Sequence, residues 1–229
     1  MRRINLHNHT TFSDGKKTPK ELVEEAISKK LDVIALTDHF EYFLGFSNFK
    51  SDIFLYFKVL NHLKEKYGGK IRILAGLEVD FKLVNLADLP FEFFKDLDFV
   101  LFERVFTFED LERLIVLKTE IPVRVGLAHP SFDAFKDLRK LVDLLEKNDV
   151  FVELNTSCYY DFSPQDRPDL PEHFLMFEKQ TGFFKLLKNR NVDLSIGADV
   201  HRIEDDVNDL DKGYEFLKKM NLSKNLIKF

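Results

Sequence analysis

The sequence lacks several features that would each define a class of protein. It has one cysteine and no tryptophan among 229 residues, which excludes an internal disulfide framework and a cysteine-based zinc finger. Its nine glycines and seven prolines are too few to indicate long flexible linkers. No stretch approaches the about 18 consecutive apolar residues of a membrane span, and no signal-peptide run follows Arg2 and Arg3. We therefore expect a cytoplasmic protein with no membrane partner.

The residues that are present indicate one globular domain. Hydrophobic residues make up 45% of the chain and charged residues 32%, which is typical of a folded protein rather than a disordered one. The net charge of −5 disfavours general binding to nucleic acid. We expect residues 1–229 to form a single domain, and the composition leaves the oligomeric state open.

Short apolar runs alternate with longer segments of helical periodicity. The predicted strands are 4–6, 32–37, 71–77, 98–105, 123–128, 151–155 and 193–197. The predicted helices are 19–30, 49–66, 108–118, 135–147, 174–189 and about 203–220. Thr18, Pro19 and Glu21 form a capping-box pattern at the start of the first helix. The alternation predicts an α/β protein with a parallel sheet, and seven strands favour a barrel over an open doubly wound sheet.

Histidines follow the predicted strands at corresponding positions. They follow the first, second, fifth and seventh strands, and carboxylates accompany them in the same segments; the residues are His7, His9, Asp14, Asp38, His39, Glu78, His129, Asp199 and His201. The carboxyl ends of parallel strands form the active-site face of such folds. Residues that are remote along the chain are therefore expected to converge on one site.

The chemistry of this set predicts a metal centre. Imidazoles and carboxylates together suit zinc, manganese or iron, and the absence of clustered cysteine disfavours a structural zinc site. In an extended segment, His7 and His9 point to the same side. His62 falls inside a helical segment, where a surface position is expected. We also assign no ligand role to His173, and Cys158 is expected to line a pocket or to be buried rather than to act as a nucleophile.

Six short strings carry a family resemblance. They are HNHTTFSDG at 7–15, TDHF at 37–40, GLEVDF at 76–81, LAHP at 127–130, ELNTS at 153–157 and GADVH at 197–201. Together, in this order, they resemble the PHP (polymerase and histidinol phosphatase) superfamily, and the last two look most like its histidinol-phosphatase branch. The resemblance implies a distorted (β/α)7 TIM-like barrel with two or three divalent metal ions.

The resemblance also implies a role for each ligand. His7, His9 and Asp199 would bind one ion, which Glu78 would bridge to a second ion bound by His129. A third ion would lie among Asp14, His39 and His201. Asp38 would orient an imidazole rather than bind an ion directly.

One position departs from the family pattern. Histidinol-phosphatase-like members carry a Gly-Ser-x-His string at the end of the fourth strand, whereas Val105 stands at the histidine position here. Valine cannot bind a metal ion. Glu103 would replace the missing ligand if the strand is shifted or bulged; otherwise the second site is weaker and only two ions are well held.

The expected activity is metal-dependent hydrolysis of a small phosphomonoester, with histidinol phosphate as the substrate that the resemblance suggests. Asp199 and His201 are candidates for proton transfer. Arg167, Lys16 and Arg202 are candidates for binding the substrate phosphate. A phosphodiesterase or nuclease-like PHP activity is an alternative, which the acidic net charge disfavours. A non-catalytic metal-binding module is another alternative.

Overall fold

The structure is a computed structural model that describes residues 2–45, 51–83, 91–157 and 175–229. The strands are β1 Ile4–Asn5, β2 Val33–Leu36, β3 Arg72–Asp80, β4 Phe99–Glu103, β5 Arg124–Leu127, β6 Val150–Asn155 and β7 Leu194–Gly197. The helices are α1 Pro19–Ser28, α2 Phe40–Leu44, α3 Ile53–Tyr67, α4 Phe91–Phe94, α5 Phe108–Lys118, α6 Leu138–Lys147, α7 Met176–Lys179, α8 Thr181–Leu186 and α9 Asp211–Met220. Two short 3₁₀ turns cover Leu187–Asn189 and Ser223–Asn225.

The seven strands form a parallel sheet that closes on itself. Each strand pairs in parallel with the next one along the chain, from β1 to β7. Backbone hydrogen bonds then join the two edge strands, from Leu6 N to Ile196 O at 2.9 Å and from Asp199 N to His7 O at 2.8 Å. The expectation of a distorted (β/α)7 TIM-like barrel is confirmed, and the open doubly wound alternative is wrong.

One continuous apolar core fills the barrel and the layer beneath the helices. Gly126 on β5 lies beside Phe151 on β6, and a Cβ atom at residue 126 would collide with the Phe151 ring. The glycine therefore makes room for a buried aromatic ring inside the sheet. Among the described residues, no helix combines the length and the apolarity that crossing a bilayer would require.

The helix starts follow from side-chain caps. The capping box predicted for α1 is present, because Thr18 accepts the Glu21 N–H and the Glu21 carboxylate accepts the Thr18 N–H. Asp52 caps α3 in the same way, by accepting two backbone N–H groups. Such caps satisfy N–H groups that have no partner within the helix.

Several predicted bounds are wrong for local reasons. β3 extends to Asp80, so Glu78 lies within the strand rather than after it. The last helix begins at Asp211 instead of near residue 203, because the Asp205 carboxylate accepts the N–H groups of His201 and Arg202 and holds the preceding segment in turns. The helix predicted over 174–189 is broken into α7, α8 and a 3₁₀ turn, and the first break lies at Gln180. The short helices α2 and α4 were not predicted.

Candidate metal centre

His7 and His9 lie immediately beyond β1, and both side chains are fully buried. Their Nε2 atoms are 3.0 Å apart. The intervening Asn8 points the opposite way and donates from Nδ2 to Ala35 O at 2.9 Å. Alternation along an extended segment therefore brings both imidazoles to one point, as the sequence predicts.

Two carboxylates from distant strands meet these imidazoles. Glu78 Oε2 lies 3.3 Å from Nε2 of each ring. Asp199 Oδ1 lies 3.5 Å from His7 Nε2 and 3.3 Å from His9 Nε2. Asp199 has a left-handed backbone, with φ of 50°, which is uncommon for a residue other than glycine. These four side chains come from β1, β3 and the segment after β7, and they surround one small volume.

Glu78 extends the cluster towards β5. Its second oxygen, Oε1, lies 3.0 Å from His129 Nε2. Glu103 Oε2, at the end of β4, lies 3.9 Å from the same nitrogen. Glu78 therefore faces the His7–His9 pair with one oxygen and His129 with the other, which is the arrangement of a bridging carboxylate.

At the end of the fourth strand, Glu103 rather than Val105 faces the cluster. Val105 is buried in the apolar core, whereas Glu103 reaches the cluster. Arg104 has φ of 61°, and this left-handed residue turns the chain away directly after Glu103. Glu103, Glu78 and His129 together offer ligand atoms close enough to hold an ion. The role of Glu103 as a ligand stays a prediction.

A third group lies on the opposite side of His9. Asp14 Oδ1 is 3.3 Å from His201 Nε2 and 3.7 Å from His9 Nδ1. His39 Nε2 lies 3.9 Å from Asp14 Oδ2. The structure thus brings together Asp14, His39 and His201, as predicted, and it adds His9 to the group.

Asp38 lies beside this group without touching an imidazole ring directly. Its buried carboxylate accepts hydrogen bonds from Thr10 N, Thr10 Oγ1 and Ser13 Oγ, at 2.7 to 2.8 Å. Ser13 Oγ in turn lies 3.4 Å from His9 Nδ1. The imidazole that Asp38 would orient, through Ser13, is therefore that of His9, and this role stays a prediction.

The sequence reasoning missed Glu153, on β6. This buried carboxylate lies 2.9 Å from His7 Nδ1 and accepts the His129 backbone N–H at 2.6 Å. It therefore fixes the orientation of one candidate ligand directly and that of a second through its backbone. The available signal was a charged residue within the apolar run of β6, since a fully buried glutamate requires partners. Glu41, discussed below, was missed as well.

The electrostatics of the cluster are dominated by buried carboxylates. Burial opposes the charged form of His7, but Glu153, Asp199 and Glu78 outweigh it and raise its pKa well above the usual value. Burial likewise opposes ionisation of Asp199, yet the neighbouring histidines, His7 foremost, hold the pKa of this carboxyl well below its usual range. The site therefore holds buried, ionised carboxylates that positive charge stabilises.

The donor set fits divalent metal ions. Oδ1 of Asp14 and Oδ1 of Asp199 are buried and have no hydrogen-bond partner among the described residues. An acceptor without a partner in a buried site is costly, and a cation would satisfy it. The donors are imidazole nitrogens and carboxylate oxygens, which suit zinc, manganese or iron.

The predicted phosphate-binding residues are less well placed or lie outside the described residues. Arg167 belongs to the segment that the structure leaves undescribed, as do Cys158 and His173. Lys16 has an exposed side chain, and its backbone N–H donates to His201 O at 2.8 Å. The guanidinium of Arg202 contacts Asp205 at 3.1 Å. The remaining histidine, His62, is exposed on α3, as expected.

Comparisons with known proteins agree with this geometry. A histidinol-phosphatase of Lactococcus lactis is 32% identical over 84 residues, 36% of this chain and 31% of the relative. The DNA polymerase/3'-5' exonuclease PolX of Bacillus subtilis is 26% identical over 211 residues, 87% of this chain and 34% of the relative. Each aligned segment thus spans about a third of that relative's length.

A solved structure shares the fold over nearly the whole chain. It is the histidinol phosphate phosphatase of L. lactis, complexed with zinc, L-histidinol and phosphate, which has a TM-score of 0.63 at 20% identity. The match covers 96% of this chain and 94% of the other. The family model described as PHP domain matches residues 5–121, just over half of the 229 residues. The chain therefore belongs to the PHP domain family.

Proposed function

We propose that the protein is a metal-dependent phosphoesterase that hydrolyses a small phosphomonoester, and that residues 1–229 form its single domain. The observation that carries this proposal is the convergence of five imidazoles and several buried carboxylates at the carboxyl ends of the barrel strands. Membership of the PHP domain family supports it.

Each group of side chains would hold one ion. The first comprises His7, His9, Glu78 and Asp199; the second Glu78, Glu103 and His129; the third Asp14, His39 and His201. We expect two or three divalent ions, of zinc, manganese or iron. Bound there, such ions lower the pKa of water and neutralise charge on phosphate oxygens.

The protein's own residues position these groups and handle protons. Glu78 directs its two oxygens at two different sets of imidazoles, so it fixes the spacing between them. His201 is buried beside Asp14 and Asp199, and burial works against its charged form while these two carboxylates raise its pKa. It is therefore placed to hold a proton for the leaving group, and the Asp199 backbone carbonyl, 3.1 Å from His201 Nδ1, restrains the ring.

Histidinol phosphate is the specific substrate that we propose first. The L. lactis relative is a histidinol-phosphatase, and the solved structure of the L. lactis enzyme contains L-histidinol and phosphate. In this chain Arg167, Lys16 and Arg202 are the proposed phosphate-binding residues. We place the enzyme in the cytoplasm.

A phosphodiesterase or nuclease-like activity is the second candidate. The alignment with the B. subtilis DNA polymerase/3'-5' exonuclease extends over most of this chain. The net charge of −5 offers no general attraction to a polyanionic backbone, which places this activity behind monoester hydrolysis.

The test is a screen of phosphate esters with protein reconstituted with manganese or zinc. It includes histidinol phosphate, nucleotides, a cyclic nucleotide and single-stranded DNA. The wild type should bind two or three ions and release phosphate from a monoester. His9→Ala should lose both properties, and His62→Ala, which removes an exposed imidazole from α3, should keep both.

Each other outcome has a distinct meaning. Hydrolysis of DNA or a cyclic nucleotide without monoester hydrolysis would favour the second candidate. Metal uptake without hydrolysis of any ester would indicate a non-catalytic metal-binding module. Metal content and activity that survive His9→Ala would refute the proposed site.

A further inference from the structure

Glu41 lies against the metal centre, although the family pattern assigns it no role. The isolated bridge between His39 and Glu78 continues the β2–β3 pairing, and α2 begins at the next residue, Phe40. The Phe40 side chain is buried in the core, so the first turn of α2 is held against the barrel. Glu41 is consequently buried, with 7% of its surface exposed, whereas a glutamate in a short helix would ordinarily face solvent.

Two buried polar atoms of Glu41 and His39 lack a hydrogen-bond partner among the described residues. Glu41 Oε1 lies 3.0 Å from His39 Nδ1. Glu41 Oε2 is buried without any hydrogen-bond partner among the described residues, and His39 Nδ1 has none of good geometry there. A buried carboxylate oxygen without a partner is expensive. A cation bound there would satisfy this oxygen.

Two further carboxylates surround the same nitrogen. Glu78 Oε2 lies 3.3 Å and Glu103 Oε1 3.9 Å from His39 Nδ1. One imidazole cannot neutralise three carboxylates, even when it is protonated. The ligand atoms of His39, Glu41 and Glu103 all lie within 4.8 Å of one another, which is close enough for one ion to contact all three.

We propose that Glu41, Glu103 and Nδ1 of His39 form a divalent cation subsite beside Glu78, and that this Glu41 subsite selects Mn²⁺ over Zn²⁺. Most of its donors are carboxylate oxygens, which suit manganese and magnesium, whereas imidazole-rich sites suit zinc.

The assignment changes the role of His39. A neutral imidazole lends only one nitrogen to an ion, and the other nitrogen carries a proton. In the described part of the chain, three carboxylates lie within 3.9 Å of Nδ1, whereas Nε2 has one carboxylate near it, Asp14, at 3.9 Å. His39 therefore serves the Glu41 subsite through Nδ1. The Asp14 group then keeps His201 as its imidazole, because Nε2 of His9 faces Glu78 and Asp199 in the first group.

The subsite is tested by metal binding, which does not depend on turnover. Metal-free protein is dialysed against Mn²⁺ or Zn²⁺, and the bound ions are counted by mass spectrometry of the metals. Mn²⁺ affinity is followed by electron paramagnetic resonance. Wild-type protein should bind one more Mn²⁺ than Zn²⁺. In Glu41→Gln the affinity of the weakest Mn²⁺ site should fall by about 10- to 100-fold or more, since altering the surroundings of a ligand already costs that much. Zn²⁺ uptake should stay unchanged.

Two variants and the wild type keep the result interpretable. Glu65→Gln makes the same chemical change at an exposed position of α3 and should match the wild type. Circular dichroism checks that Glu41→Gln is folded; if it is not, the comparison of Mn²⁺ and Zn²⁺ counts in the wild type decides alone. Equal counts of the two metals, or unchanged Mn²⁺ affinity in folded Glu41→Gln, would overturn the Glu41 subsite.

The outcomes also separate this inference from the proposed function. A protein that binds the extra Mn²⁺ and hydrolyses no phosphate ester retains the subsite and loses the phosphoesterase assignment. A protein that hydrolyses esters with Mn²⁺ binding unaffected by Glu41→Gln retains the phosphoesterase assignment and loses the subsite.

Discussion

Replacing Glu153 with glutamine should weaken metal binding although Glu153 is not itself a candidate ligand. The carboxylate accepts a hydrogen bond at each oxygen, from His7 Nδ1 at 2.9 Å and from the His129 backbone N–H at 2.6 Å. Glutamine has nearly the same shape but only one accepting oxygen. Whichever way the amide turns, one of the two contacts is lost.

Both orientations of the amide harm the site. If its oxygen faces the His129 N–H, its NH₂ group meets His7 Nδ1, which must then accept; the ring proton moves to Nε2 and blocks the nitrogen that faces Glu78 and Asp199. If its oxygen faces His7, its NH₂ group faces the His129 backbone N–H, and these two donors have no acceptor between them. An unsatisfied buried donor costs about 1–3 kcal/mol of unfolding free energy.

The effect on metal binding has a comparable size. Loss of the partner that orients a metal-binding histidine typically reduces affinity by about 10- to 100-fold, which corresponds to about 1.4–2.7 kcal/mol. Competition against a chromophoric chelator measures the affinity, and urea denaturation of the metal-free protein measures the stability.

Glu146→Gln is the matched control. Glu146 accepts the Asn191 N–H and one Arg190 guanidinium nitrogen, both at 2.7 Å, so the substitution likewise removes one accepting oxygen from a carboxylate with two partners. Because Glu146 lies on α6, away from the metal centre, metal affinity should stay at the wild-type value. An affinity of Glu153→Gln within twofold of the wild type would refute the idea that Glu153 fixes the His7 tautomer.

Three further predictions concern packing, a buried hydroxyl and protons. In Gly197→Ala the new Cβ would collide with the Glu153 carboxylate and the His7 side chain. The substitution should therefore cost about 1–3 kcal/mol of unfolding free energy by overpacking and should reduce metal content. Wild-type metal content in this variant would contradict the prediction. Tyr56→Phe removes a buried hydroxyl that is hydrogen-bonded to the Leu36 and Gly76 carbonyls, each at 2.9 Å. The loss should cost about 0.5–1.5 kcal/mol of unfolding free energy and leave metal affinity unchanged. Denaturation measures the first quantity and chelator competition the second. In the metal-free protein, burial opposes the charged forms of His39 and His129, but Glu78 and other carboxylates raise the pKa of each ring to about 10 from 6.5. The stability that these rings contribute is therefore complete below pH 6.5 and lost as the pH rises towards 10, whereas metal affinity rises over the same interval because binding expels protons. Calorimetry in two buffers of different ionisation enthalpy should detect proton release, and identical heats in both would count against it.

The sequence predicts where in the fold the metal centre lies better than it predicts the contacts between its side chains. His7, His129 and His201 each follow an apolar run, and a parallel barrel carries every such position to one end. That argument requires only periodicity and strand order. It does not reveal which oxygen faces which nitrogen.

The residues that were missed depend on tertiary contacts. Glu41 belongs to a five-residue helix that no periodic pattern marks, and its burial results from Phe40 packing into the core. Glu153 is visible as a charged residue within the apolar run of β6, but its partners, His7 and His129, follow only from the fold. The late start of α9 depends on Asp205 accepting two backbone N–H groups, and side-chain competition of this kind is not encoded in hydrophobic spacing.

The seam between β1 and β7 links metal capture to closure of the barrel. His7 and Asp199 are 192 positions apart in sequence, yet their backbones are hydrogen-bonded. A ribosome-bound fragment that already contains His7, His9 and Glu78 still lacks the acid that closes their cluster. Completion of that cluster therefore waits until the segment after β7 pairs with the segment after β1.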